Sequence, residues 1–271
     1  MAGKCVHITN SAALLALHNN DIHLWSISPQ SISNPITINA LRNILKPSEI
    51  DKIERYRHPE AQHNALITRA FIRIVLSQYA ALQPQDWLFD IAKNGKPEIN
   101  NSPLALRFNL SHNDSLIVCA VCLKHDIGCD VENLSRRTNI ETISKRYFSA
   151  AEYQSLKNLP GELRRPRFFE YWTLKEAFVK ATGLGLSQGL DSFSFAIEPA
   201  TNTGFNDNIR LNFSEKTSEY NKQDWYSCLT YPDTTHCIAI CIRNEKNNRD
   251  FKLSHFSGMQ YLNAFAGRIK G

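Results

Sequence analysis

Helix-period and strand-period segments alternate along this chain, and that alternation confines it to mixed α and β architectures. From Pro47 to Tyr79 the apolar residues Ile50, Ile53, Ala65, Leu66, Phe71, Ile74 and Val75 recur at near-helical spacing, with Arg69 and Arg73 one turn apart on a single face. This stretch predicts two helices broken near His58-Pro59. Strand-like runs follow at Trp87–Ile91, Leu104–Leu110, Ser115–Leu123 and Ile127–Glu132, the middle two flanking the polar turn Ser111-His112-Asn113-Asp114. Helices are predicted at about 139–148, 150–158 and 165–182, the last ended by Gly183 at the head of a glycine-rich loop reaching Gly189. Strands are expected again around Ser192–Ile197, Asn208–Phe213, Trp225–Tyr231 and Cys237–Ile242. From about Asn244 the chain turns polar and basic and reads as a loosely packed extension. No convincing sequence repeat is visible.

With 271 residues and 42% hydrophobic content, one large domain or two small ones can be filled. The longest apolar stretch, Leu116–Leu123, is too short to span a bilayer, and the N-terminus with Lys4 and His7 shows no signal-peptide core, so a cytoplasmic protein without a membrane partner is expected. A net charge of +5 favours an anionic partner, yet no Lys/Arg block or zinc-finger spacing points to nucleic acid. Seven cysteines form no complete disulfide framework. Cys119/Cys122 and Cys237/Cys241 have a spacing that a thiolate zinc site can use, but they lie in apolar, β-branched runs where cysteine passes as a small hydrophobe.

Two short stretches carry chemistry. In Gly128-Cys129-Asp130-Val131-Glu132 an extended strand puts Asp130 and Glu132 on one face, where two like charges repel unless something neutralises them. In Trp172-Thr173-Leu174-Lys175-Glu176-Ala177-Phe178-Val179-Lys180 the apolar stripe Leu174, Ala177, Phe178 and Ala181 leaves Trp172, Glu176 and Lys180 on the other side. Taken separately, these are an acidic strand face and an exposed helical ion pair worth a few tenths of a kcal/mol. Brought together, Asp130, Glu132 and Glu176 offer an oxygen-only set suited to Mg²⁺, with Lys180 beside it to meet phosphate. Asn109-Leu110-Ser111-His112 closes a strand with several hydrogen-bonding groups, and a protonated His112 can bind phosphate; alone, it reads as a capped turn. Asn94-Gly95-Lys96-Pro97 is likewise an ordinary hairpin signal until Lys96 is given a partner.

Gly95-Lys96-Pro97, Asn109–His112, Gly128–Glu132, Phe148-Ser149-Ala150-Ala151-Glu152-Tyr153 and Trp172–Lys180, in this order over roughly Lys46 to Phe195, resemble the 4′-phosphopantetheinyl transferase superfamily, in its longer pseudo-dimeric group. The resemblance implies an α+β fold of two similar α/β halves related by a pseudo-twofold axis, with the ligand cleft between them. The halves would be 1–124, holding the nucleotide-end contacts, and 125–245, holding the metal and the catalytic helix, with 246–271 a polar extension. It implies transfer of the phosphopantetheine arm of coenzyme A to a serine of an acyl or peptidyl carrier protein, releasing adenosine 3′,5′-bisphosphate. Asp130, Glu132 and Glu176 would bind Mg²⁺, with Mn²⁺ as the alternative ion, and Lys180 would neutralise the diphosphate. Lys52, Lys96 and His112 would contact the nucleotide end, with Arg69 and Arg73 able to share the phosphate role and Asn109 and Ser111 shaping the pocket. Glu152 matches the family position proposed as general base, with Glu176 or a water on the metal as competitors. The carrier would be acidic and dock near Lys145, Arg146, Tyr147 and Phe148, and the protein would act as a monomer. The competing class is a non-catalytic module that binds coenzyme A or a carrier without turnover.

Overall fold

The computed structural model describes residues 14–92, 95–183, 189–201, 204–213, 225–244 and 250–268. The chain enters through strand β1 (Asp21–Ile27), followed by helices α1 (Pro35–Arg42), α2 (Pro47–Glu54) and α3 (Pro59–Leu76). Each of these helices begins with proline at its first position, where the missing N–H costs nothing and the fixed φ suits the helix. The expected break at His58-Pro59 separates α2 from α3, while α1 and β1 were not anticipated from the pattern. A small hairpin of β2 (Phe89–Ile91) and β3 (Pro97–Ile99) turns through Gly95 at φ +78°, as the hairpin signal requires; Asn94 lies outside the described residues. Strands β4 (Leu106–His112), β5 (Ile117–Leu123) and β6 (Ile127–Asn133) follow.

Next come α4 (Ile140–Tyr147), α5 (Ala150–Asn158) and the long α6 (Gly161–Thr182), then β7 (Phe193–Ile197), β8 (Phe205–Asn206), β9 (Ile209–Phe213), β10 (Trp225–Thr230) and β11 (His236–Arg243). Gly183 caps α6 in the left-handed conformation, and residues 184–188 of the glycine-rich loop lie outside the described set. Helix α6 starts at Gly161, earlier than the expected Arg165, and carries Pro166 within its second turn.

Two four-stranded sheets dominate, in the orders β12-β1-β5-β4 and β6-β11-β10-β8, where β12 is Lys252–Ser257. Their antiparallel cores share one topology: the first strand (β1 or β6) pairs with the last of its set (β5 or β11), and the middle one (β4 or β10) lies beyond. Alternate side chains of these strands enter different cores. Trp25, Ile27, Ile117, Cys119 and Val121 pack under α1–α3. Cys237, Ala239 and Cys241 pack under α6 with Phe178 and Phe193. The remaining faces of both sheets meet in a shared core of Ile22, Leu24, Val118, Ala120, Cys129, Val131, Ile238, Ile240 and Ile242. Strands buried on both faces read as continuous apolar runs, which explains Leu116–Leu123 and Cys237–Ile242. The same partition places Cys119 and Cys122 in different cores and Cys237 and Cys241 in a third, so the two pairs never face each other.

The C-terminal residues depart from the expected loose extension. Strand β12 pairs in parallel with β1 from Asp21↔Lys252 to Ser26↔Ser257, and helix α7 (Met259–Arg268) lays Leu262, fully buried, into the first core. Phe256 stacks on Trp25 at a centroid distance of 4.7 Å, and Gly258 admits Phe71 so closely that a Cβ there would meet its ring at 2.3 Å. The polar composition hid a few apolar residues at strand and helix spacing.

Candidate active site

Strand β6 and helix α6 touch backbone to backbone at Gly128, where an added Cβ would lie 2.0 Å from the Ala177 carbonyl oxygen and 2.4 Å from the Ala181 nitrogen. This close approach brings the acidic strand face and the Glu176–Lys180 helix face into one electrostatic neighbourhood. The apolar stripe of α6 holds the helix there: Leu174, Ala177 and Phe178 are completely buried, and Ala181 nearly so. Asp130 is 6% exposed. Its Oδ1 accepts from Lys180 Nζ at 2.7 Å and from Ser111 Oγ at 2.8 Å, while Lys180 Nζ also donates to Ser111 Oγ at 2.9 Å. Its Oδ2 is buried with no hydrogen-bond partner among the described residues.

A buried carboxylate oxygen left without a donor is costly, and its neighbours add to the strain. Burial first, then the Asp130 and Glu176 charges, push the Glu132 carboxyl up to about 7, against the pull of Arg136 and a hydrogen bond with Trp172. That bond accounts for the tryptophan on the polar side of α6. Glu176 is likewise raised by burial and by Asp130, with Lys180 opposing. Burial works to lower the Lys180 ammonium, but Asp130, Glu176 and their surroundings outweigh it and raise it. Three carboxylates thus share a half-buried place with one ammonium, an arrangement deficient in positive charge. An orphaned oxygen and hard oxygen donors fit a divalent cation such as Mg²⁺. Among the described residues, however, no three carboxylate, imidazole or thiol groups are already drawn together to ligating distance. The mutual repulsion of the acids, with Lys180 taking Asp130, accounts for the open arrangement.

Beside this cluster lies a cavity of about 710 Å³ whose walls include Lys46, Lys52, Arg69, Arg73 and His112, opposed by Glu49 and Asp114. Ser111 and His112 are neighbours on β4, so one reaches Asp130 while the other lines the cavity. His112 is held below its usual pKa by burial and then by Lys180 and Arg69, with Asp114 opposing, so the protonated phosphate-binding form is disfavoured until an anion enters. Lys52 lines the exposed rim, and Arg69 donates to the Ala65 carbonyl at 3.0 Å.

Four of the expected site residues have other partners in the fold. Arg73 is 2% exposed, bonded to Glu49 at 2.6 Å and to the Trp87 carbonyl at 2.8 Å, which commits most of its charge to the scaffold. Asn109 accepts from the Cys129 amide at 2.9 Å, tying β4 to β6. Lys96 Nζ donates to the Ile127 and Lys180 carbonyls, each at 3.0 Å, and Gly95 and Pro97 line the cavity in its place. Glu152 departs furthest from expectation. It is 1% exposed, caps α5 through the Ser149 amide and hydroxyl, accepts from the Phe195 amide at 2.9 Å, and pairs with Lys175 at 2.8 Å. Both of its oxygens are thus occupied within the core, which speaks for a structural role. Lys175, part of the Trp172–Lys180 stretch but given no role from sequence, also donates to the Leu190 and Phe193 carbonyls at 2.7 Å each. Of the carrier-docking candidates, Lys145 and Arg146 are exposed and Tyr147 half-buried, but Phe148 belongs to the core.

Residues 126–241 match the family described as the 4′-phosphopantetheinyl transferase superfamily, and residues 33–124 match the 4′-phosphopantetheinyl transferase N-terminal family. The protein is 34% identical over 190 residues to the 4′-phosphopantetheinyl transferase HetI of Nostoc sp., covering 68% of this chain and 78% of that one. It is 37% identical to a 4′-phosphopantetheinyl transferase of Bacillus subtilis, over 55% of this chain and 64% of the relative. With the 4′-phosphopantetheinyl transferase Sfp of Bacillus subtilis strain 168 it shares 35% identity, over 56% and 66% of the two chains. An acidic cluster beside a cationic cavity, matched along both parts of the sequence, leads to one conclusion: the chain belongs to the 4′-phosphopantetheinyl transferase superfamily.

Proposed function

We propose that this protein transfers the 4′-phosphopantetheine arm of coenzyme A to a serine of an acidic acyl or peptidyl carrier protein, in a Mg²⁺-dependent reaction that releases adenosine 3′,5′-bisphosphate. The buried, donorless Oδ2 of Asp130 beside Lys180 and the cationic cavity carries this reading. Asp130, Glu132 and Glu176 would hold the Mg²⁺, which supplies charge neutralisation on a diphosphate. Lys46, Lys52, Arg69 and His112 line the cavity for the anionic nucleotide end. Lys180, steered by Ser111, adds a positive charge where the phosphoanhydride breaks. The carrier serine Oγ attacks the phosphorus bearing the pantetheine arm, the bond to the adenosine-side phosphate breaks, and the serine proton goes to a base. With Glu152 buried and paired with Lys175, Glu176 is the remaining carboxylate candidate for that role. The common strand order of the two sheets supports two halves, 1–124 and 125–245, related by a pseudo-twofold axis, while the cavity is lined by residues 46–114 of the first half, next to the acidic cluster of the second.

The test is to incubate the protein with Mg²⁺, coenzyme A and an apo carrier protein and to weigh the carrier by mass spectrometry. A phosphopantetheine increment is expected, abolished by chelator and by Asp130→Asn. An unmodified carrier despite measurable coenzyme A binding would replace this reading with a non-catalytic binding module.

A further inference from the structure

The segment Gly95-Lys96-Pro97 divides its labour. Gly95 and Pro97 face the cavity, whereas the Lys96 side chain leaves it and ends on two backbone carbonyls of other elements. One is Ile127, the first residue of β6; the other is Lys180, in the last turn of α6. The last four carbonyls of a helix have no intrahelical partner and carry the negative end of its dipole, which favours an ammonium there, although burial and then Arg107 lower the Lys96 pKa. Ile127 immediately precedes Gly128, the point where strand and helix backbones meet. Lys96 therefore grips both sides of the β6–α6 seam at its closest approach.

We propose that Lys96 is a positioning residue whose ammonium, by bridging the Ile127 and Lys180 carbonyls, fixes the spacing between the strand bearing Asp130 and Glu132 and the helix bearing Glu176 and Lys180, and couples that seam to the hairpin walling the cavity. This deepens the transferase reading and rests on it for the identity of the ligand. It replaces direct phosphate binding by Lys96 with action through the backbone: ordering the hairpin around a nucleotide pulls on the same ammonium that sets the acidic groups against one another. No other described side chain is bonded to both carbonyls.

Lys96→Met removes the ammonium and keeps most of the aliphatic stem. Mn²⁺ binding to the full-length protein without coenzyme A is read by electron paramagnetic resonance, and transfer kinetics are compared for coenzyme A and 3′-dephospho-coenzyme A. The expected result is a loss of Mn²⁺ affinity of roughly tenfold or more, as removal of groups that orient ligands typically gives. The KM ratio between the two substrates should be unchanged. His112→Gln should do the reverse, narrowing that ratio and leaving Mn²⁺ affinity intact. Unaltered Mn²⁺ affinity in Lys96→Met, or a collapsed KM ratio, would make Lys96 a phosphate ligand and overturn the proposal. If the methionine variant does not fold, Lys96→Gln, whose amide can keep one of the two bonds, carries the same comparison. A wild-type protein that binds Mn²⁺ but modifies no carrier would sink the transferase reading while leaving the Mn²⁺ comparison to judge Lys96.

Discussion

Replacing Glu132 by glutamine should stabilise the metal-free protein while removing its activity. In the fold its carboxyl is pushed from 4.5 to about 7 by burial and by Asp130 and Glu176. Such a displacement corresponds to about 3 kcal/mol against the folded state at pH 8, where the group is ionised in both states. The sign follows from proton binding. Between pH 4.5 and about 7 the folded protein keeps a proton that the unfolded chain has lost, so stability falls as pH rises through this window and stays low above it. Glutamine abolishes that slope and can still accept the Trp172 hydrogen bond. The shift to about 7 already includes the opposing pull of Arg136, whose ion pair at 3.1 Å is lost with the charge. The net expectation at pH 8 with chelator is therefore about 3 kcal/mol, or a rise in Tm of about 6–12 °C for a chain of this size. At pH 5 the gain should shrink below about 1 kcal/mol. Thermal and urea unfolding of both proteins at the two pH values measure it. A variant no more stable than wild type at pH 8, or a gain that grows toward pH 5, would refute the picture of three carboxylates short of positive charge.

Breaking the buried Glu152–Lys175 pair with Lys175→Met should cost about 3–5 kcal/mol, read as a fall in Tm, and adding Glu152→Gln should recover part of it. Glu152→Gln with wild-type Tm and no transfer would instead restore Glu152 as the base. Gly128→Ala forces a Cβ into the α6 backbone, and should cost at least about 2 kcal/mol in urea unfolding and depress Mn²⁺ affinity together with stability. His112 is neutral at pH 7 in the free protein because burial and cationic neighbours lower its pKa, and a bound phosphate raises it. Binding of adenosine 3′,5′-bisphosphate near pH 6 should therefore take up protons, visible as buffer-dependent calorimetric heats and lost in His112→Gln.

Periodicity located the helices α2 to α6 and most strands because amphipathic and doubly buried segments carry strong patterns. It missed β1, whose residues feed two cores and so show neither alternation nor helical spacing. It misjudged β12 and α7, whose contribution rests on a few residues such as Phe256 and Leu262 in polar surroundings. At the site, strand and helix periods made legible that Asp130 shares a face with Glu132 and Glu176 one with Lys180; that the two faces lie near each other rested on the resemblance, and the structure pairs Lys180 with Asp130. The fates of Glu152, Arg73 and Lys96 were not legible. A buried ion pair and a carbonyl clamp use the same residue types as a base or a phosphate ligand, and only tertiary burial tells them apart.

The site belongs to the seam between the sheets. Asn109 and Ser111 from β4, and Lys96 from the hairpin, all reach residues of β6 or α6. Behind them the shared core buries Ile127, Cys129, Val131, Ile238, Ile240 and Ile242 against Ile22, Leu24 and Val118. Exposing even the six residues from β6 and β11, at about 1.5 kcal/mol each, would cost about 9 kcal/mol, which is the scale of a whole domain's stability. The two sheets therefore cannot part to admit a ligand. On the proposed reading, coenzyme A would enter through the open cavity beside α2 and α3, where Lys46 and Lys52 stand at the rim, and the acidic cluster would respond by side-chain movement within a fixed frame. That frame is what allows three repelling carboxylates to wait beside a single lysine without unfolding the strand and helix that carry them.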